Sequence, residues 1–401
     1  MSKQLSASLL AFTMALSVSA LADLEPVSDS QLSEVTGQAF VSVDRNYHLD
    51  DSTAYTRVNL GMDMEIQTNI ETLELGRYNR AGEKSGTSDV LIDNFSLGYI
   101  QSDQFFQDHP KVPEMYKADG SAYADGEIVP FFIDNPFIEF AFDNATQEVI
   151  GVRLGFGESM GILSGDIQTL TGNINVMIKD VGGAMADAVQ ESPTLSDRLI
   201  KFASETLEKN NDIQTKARLV DGDPNSGTYG ELDPIRAEHI GVPNGEKFVL
   251  EGASGFARWA MKTLLAPGAS SQVLVPGCNN LFDCPGGTIE VVAQDCMVLS
   301  IKSCFDLAQY RSFAVGELGE TNGERSIVAP VSGAFLSFQT KTVEWVKDVK
   351  QGNMSNAEFV QATSGAFLNI PNGATEVNLG EALTGVPRYR AEYIDRGKGL
   401  F

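Results

Sequence analysis

Ile150-Gly-Val-Arg-Leu-Gly-Phe156 is the stretch that decides the fold. Its apolar members Ile150, Val152, Leu154 and Phe156 alternate with Gly151, Arg153 and Gly155. A period of two puts alternate side chains on opposite faces of a strand. Upstream, Val58, Leu60, Met62, Met64 and Ile66 repeat the alternation, and downstream Ile174, Val176 and Ile178 do so again. Asp93-Asn94, Asp143-Asn144 and Thr171-Gly172-Asn173 supply turn chemistry between such runs. Strands joined by short connections pair antiparallel, with one face wet. Residues 41–182 are therefore expected to form a β-rich domain, broken at 101–130 by a loop carrying Pro110, Pro113, Gly120, Gly126 and Pro130.

A helical period takes over next. Ser192 is a good N-cap with Pro193 at the first helical position, and Leu195, Leu199, Phe202 and Leu207 follow as an apolar stripe. A second helix is expected from Ser254, with Phe256, Trp259, Ala260, Thr263 and Leu264 on one face and Pro267-Gly268 as its stop. Residues 183–266 thus read as a helical insertion. Strands return over 267–401, where Thr288–Val292 and Met297–Ile301 flank clustered cysteines. Ser332-Gly-Ala-Phe-Leu-Ser337 recurs as Ser364-Gly-Ala-Phe-Leu-Asn369, and two copies fit equivalent strands of one sheet system better than a solenoid. The fold class is mainly β, an antiparallel sandwich or roll with a helical insertion, α+β overall.

Composition limits the address and the partners. Lys3, the apolar run Leu9–Leu16 and the small-residue site Ala20-Leu21-Ala22 read as a signal peptide over 1–22, followed by an acidic lead-in over 23–40. The expected destination is the periplasm, the outer-membrane surface or the medium. A net charge of −25 repels nucleic acid and anionic headgroups and leaves basic partners, cations and neutral ligands. Outside the cytoplasm an even number of clustered cysteines reads as disulfides. Short loops favour Cys278–Cys284 and Cys296–Cys304, with the crossed pairings still open. A zinc site lacks a C-x-x-C spacing and a nearby histidine.

In the lead-in, Asp29, Leu32, Val35, Gly37, Gln38 and Ala39 spell an acidic D-x-x-L-x-x-V-x-G-Q-A element. Here the chain resembles an uncharacterised group of exported proteobacterial proteins built on a domain of unknown function. Asn135–Phe142 and Gly151–Phe156 echo the same group, so the resemblance covers roughly the first 180 residues. Phe40 stands where the group often carries glycine. The resemblance implies export and no particular chemistry.

Two patterns could carry chemistry. Gly157-Glu-Ser-Met-Gly161 fits the nucleophile elbow G-x-S-x-G, with Ser159 as nucleophile and His239 the sole downstream histidine. The helix that should follow is missing, which weighs against an enzyme. Asp221, Asp223, Asn225, Glu231 and Asp233 are candidate calcium ligands, since alternating oxygens in a tight turn suit a hard cation. Glycine falls at the seventh position and Leu232 at the twelfth, both departures from the usual loop. No other cofactor is implied. The expected role is a non-enzymatic envelope or surface protein working in adhesion, matrix assembly or hydrophobic-ligand binding. A protein partner or self-assembly through strand edges would serve it. The alternatives are a serine hydrolase centred on Ser159 and an outer-membrane barrel, which the terminal Phe401 suggests.

Overall fold

In a computed structural model, the structure describes residues 41–181, 212–265, 271–298, 301–347, 349 and 357–389. The expected signal peptide, the lead-in element, the helix expected from Ser192 and Phe401 lie outside these residues. The chain is mainly β with a few short helices, as the alternation predicts, and its described strands close no barrel.

The long strand Val149–Leu170 organises the fold. Its first half lies between Phe131–Asp143 and Phe335–Gln339. Its second half lies between Ser88–Leu97 and Ser312–Val315 and so belongs to another sheet. The change of sheet falls beside Gly161, at φ +144°, where a Cβ would come within 3.0 Å of the Phe131 Cα. Only glycine fits a backbone approach that close.

The first sheet runs Val41–Tyr47, Thr53–Leu60, Phe131–Asp143, Val149–Leu170, Phe335–Gln339 and Gly365–Val377. Beyond these, Gly172–Val181 adds to Gly365–Val377 in parallel. The parallel ladder departs from the antiparallel rule. It forms because the chain, on leaving the second sheet at Leu170, crosses to the far edge of the first. Asp212–Val220, Lys247–Ala253, Gly287–Val292 and Gln272–Leu274 extend that edge. The main core lies between the sheets, with Ile92, Ile167, Ile174, Leu250 and Ile289 among its fully buried members.

Several expectations need adjusting. Within the supposed helical insertion, Asp212–Val220 and Lys247–Ala253 are strands. Ile213, Thr215, Ala217 and Leu219 point inward at period two, a pattern of the strand kind. The second helix does start at Ser254, whose hydroxyl caps the Ala257 N–H at 3.2 Å. Its buried side is Ala257, Ala260 and Met261, however, and Phe256 faces water. The run Val58–Ile66 is two strands parted at Gly61-Met62, opposite Asn135, which bulges at φ +47°. Asp93-Asn94 is a bulge inside Ser88–Leu97, because asparagine in the left-handed region serves a bulge as readily as a turn.

One face of the first sheet carries a buried charge cluster. Glu139 accepts Arg57 Nε at 3.0 Å on one carboxylate oxygen and Arg153 Nε at 2.5 Å on the other. The fully buried Arg153 guanidinium also donates to the Val346 carbonyl and lies about 5 Å from the Phe137, Phe335 and Trp345 ring centroids. The hairpin Val343–Val346 with Phe359–Ala362 covers it. A second buried charge, Asp89, is met by Arg236 Nε at 2.9 Å and by the Ala366 N–H at 2.9 Å.

Candidate functional site

The opposite face of the first sheet is apolar. Register carries one row across six strands: Val43, Val58, Ile138, Leu154, Leu336 and Leu368. The neighbouring row holds Thr56, Phe140, Val152, Phe338 and Ala366, with Arg45 as its charged member on the edge strand. At one end the second sheet folds over this face. There Leu73, Leu75, Ile92, Phe95 and Leu97 stand against Phe156, Leu336, Leu368 and Ile370 and leave a cavity of about 270 Å³. Among the described residues its one polar lining residue is Asn369, whose side chain has both ends engaged: Nδ2 donates to the Gly333 carbonyl at 2.7 Å, and Oδ1 accepts from Asn173 at 2.9 Å. Further along, the same face is uncovered, with Val43 63% and Leu154 42% exposed. A cleft of this make-up can desolvate a hydrocarbon.

Sequence reasoning missed the cleft, although half its wall was readable. Val90 and Ile92 alternate, and so do Phe95 and Leu97, but the bulge at Asn94 shifts the phase between them.

The residues singled out for catalysis do not come together. Ser159 lies inside the long strand, not at a strand-to-helix turn, and its N–H and carbonyl pair with Val331. Its hydroxyl is fully buried without a hydrogen-bond partner. His239 is held elsewhere, its Nε2 3.3 Å from the Asp306 carboxylate on the adjacent strand. His48 sits between Asp50 and Glu344, and His109 bonds the Phe105 carbonyl.

The acidic loop spends its oxygens locally. Asp221 accepts the Thr228 hydroxyl at 2.7 Å, the Ser226 hydroxyl and the Asp223 N–H. Burial opposes ionisation of Asp221, but these bonds outweigh it and hold its pKa below the ordinary value. Asp223 accepts both the main-chain and side-chain N–H groups of Asn225. Burial raises the pKa of Asp233, which accepts the Ile235 N–H. Asn225 and Glu231 complete no ligand shell: among the described residues no three His, Cys, Asp or Glu side chains gather as a cation would need. All four cysteines are paired, Cys278 with Cys284 and Cys296 with Cys304, the short-loop pairs favoured by spacing.

A model described as a family of unknown function (DUF6160) matches residues 1–101. The matched stretch takes in the edge strand Val41–Tyr47 and the cleft wall from Thr68 to Leu97. No curated protein and no solved structure matches the chain.

Proposed function

We propose that this chain is an exported, non-enzymatic protein of the envelope or cell surface that holds a hydrophobic ligand in the cleft between its two sheets. The single observation carrying this reading is the apolar cavity of about 270 Å³ whose wall, through Leu336, belongs to the same sheet face that Leu154 leaves exposed. Small-molecule pockets run from about 300 Å³ upward, so a single hydrocarbon chain lying partly in the cavity and partly along the face suits the space. The leader-like start and two disulfides support an oxidising, exported setting. Titration of the purified chain with 1-N-phenylnaphthylamine tests the reading. Saturable fluorescence enhancement is expected, with roughly tenfold weaker affinity in Leu336→Trp, whose indole would fill the cleft. Linear, unsaturable fluorescence, or equal affinity in the variant, would overturn it.

A specific feature favours a second role in assembly. The strand Val41–Tyr47 pairs on one side with Thr53–Leu60 and, among the described residues, has no strand on the other. Nearly all its side chains are exposed. Such an edge can accept a strand from a second copy. Light scattering across concentrations would reveal growth, which Val43→Pro should stop by removing an edge donor.

A further inference from the structure

The Cys278–Cys284 bridge closes a small loop whose apex exposes two apolar side chains. Phe282 is 97% exposed and Leu281 41%. A bare phenylalanine at a loop tip is usually tolerable because the loop can fold it away. This loop cannot. The Asn279 N–H donates to the Asp283 carbonyl at 2.8 Å, and Asn279 Nδ2 donates to the Asp283 carboxylate at 2.7 Å. Asn280 Oδ1 accepts the N–H groups of Phe282 at 2.9 Å and Asp283 at 3.1 Å. At the base, the buried Arg258 guanidinium donates to the carbonyls of Pro276 and Pro285, one on each flank, and to Thr288 at 3.2 Å. Lys262 Nζ donates to the Cys278 carbonyl. The same short helix displays Phe256, 47% exposed, with its ring 6.0 Å from that of Trp259.

We propose that this disulfide-clamped tip inserts into a neutral lipid surface. Three observations select lipid as the occupant. The apex is convex, so a protein acceptor would need a matching pocket, whereas acyl chains yield around an inserted ring. The Asn280 and Asp283 side-chain oxygens beside the apex already accept hydrogen bonds within the loop, which lowers the cost of approaching a region that offers none. Lys262, an exposed residue, bonds the Cys278 carbonyl at the base of the loop, where a cation suits the headgroup level. The chain's net charge of −25 selects zwitterionic headgroups over anionic ones. Prior clamping matters because a tip already ordered loses little freedom on insertion. This inference does not depend on the cleft.

Flotation of the purified chain with phosphatidylcholine vesicles provides the test. The wild type is expected to float with the vesicles, and Phe282→Asp to partition roughly tenfold or more less well. Both should bind 1-N-phenylnaphthylamine alike, which separates failure of the tip from failure of the cleft. Replacing part of the phosphatidylcholine by phosphatidylglycerol should weaken flotation at low salt. In Phe282→Trp, emission should shift to the blue on vesicles and be quenched by brominated acyl chains. A wild type that stays unbound at millimolar lipid, or Phe282→Asp floating as well as wild type, overturns the proposal. So does concentration-dependent oligomerisation abolished by Phe282→Asp without any vesicle response, which would make the tip a contact between copies.

Discussion

Leu336 and Leu368 lie directly opposite each other on adjacent antiparallel strands, each at the same place in its copy of the repeated Ser-Gly-Ala-Phe-Leu unit. The repeat therefore acts as a local pair. Phe335 and Phe367 stack at 6.3 Å on the face that buries Arg153, while the two leucines line the cleft on the other. The glycines at Gly333 and Gly365 both take positive φ, which sets the two strands off alike.

Both leucines are half-buried, so each should lose less on truncation to alanine than the about 2–5 kcal/mol of a fully buried leucine. Because they touch across the ladder, Leu336→Ala and Leu368→Ala should be coupled by about 0.2–1 kcal/mol. A double-mutant cycle from urea unfolding measures this, and strict additivity would show that the pair does not act as one.

Strand content was legible in the sequence wherever one face of a strand is wet. Ile150–Phe156 reads as a strand from its alternation, although the sides are the reverse of the usual: Leu154 is exposed while Arg153 is sealed. Asp212–Val220 was obscured by neighbouring helical spacings, and Ser88–Leu97 by the bulge at Asn94. Loop length favoured the two observed disulfides but left the crossed pairings open. The cleft could not be read, because it depends on which strands neighbour one another, and Leu75 meets Leu336 only after a long strand changes sheets. Glycines flank kinks within strands as well as nucleophile elbows, and Ser159 lies between two of them inside a strand.

The buried cluster of Arg57, Glu139 and Arg153 should be the most sensitive polar site. Among the described residues Glu139 is the one carboxylate that pairs with both guanidinium groups, and burial depresses the pKa of Arg153 by penalising its charged form. Glu139→Gln leaves two cations facing a neutral amide, and a loss of about 3–5 kcal/mol is expected. Arg153→Met should be milder than Glu139→Gln, since it still leaves Glu139 one partner and offers a side chain to the surrounding rings. Urea midpoints for the two variants give the ranking, and the reverse order would mean that the aromatic cage outweighs the ion pairs.

Asp223 tests what the acidic loop is for. Its carboxylate orders Asn225 through two hydrogen bonds, so Asp223→Ala should lower the melting temperature by the same amount in calcium and in chelator. A loss that appears only with calcium present would show that the loop closes on a cation, with the present bonds exchanged for ligation.

Acid stability should depend on the turn at Asp143. Lys341 Nζ lies 2.6 Å from its carboxylate, and the Ala145 and Thr146 N–H groups donate to the other oxygen. The Lys341 bond first, then the two backbone bonds, lowers the Asp143 pKa to about 2 from the ordinary 3.8. A folded-state pKa below the unfolded one stabilises the fold fully above the unfolded value, and the benefit disappears as pH falls through the folded value. Asp143→Asn should therefore melt below wild type at neutral pH, and the two curves should converge toward pH about 2. Lys341→Ala should move the Asp143 titration back toward 3.8, as carboxyl NMR shifts would record. Lys341 is exposed and Asp143 half-buried at the surface, where salt screens such pairs, so the neutral-pH difference should shrink in high salt, leaving the part owed to the backbone donors. A difference that widens on acidification would reverse the sign and show that the carboxylate is strained by its turn.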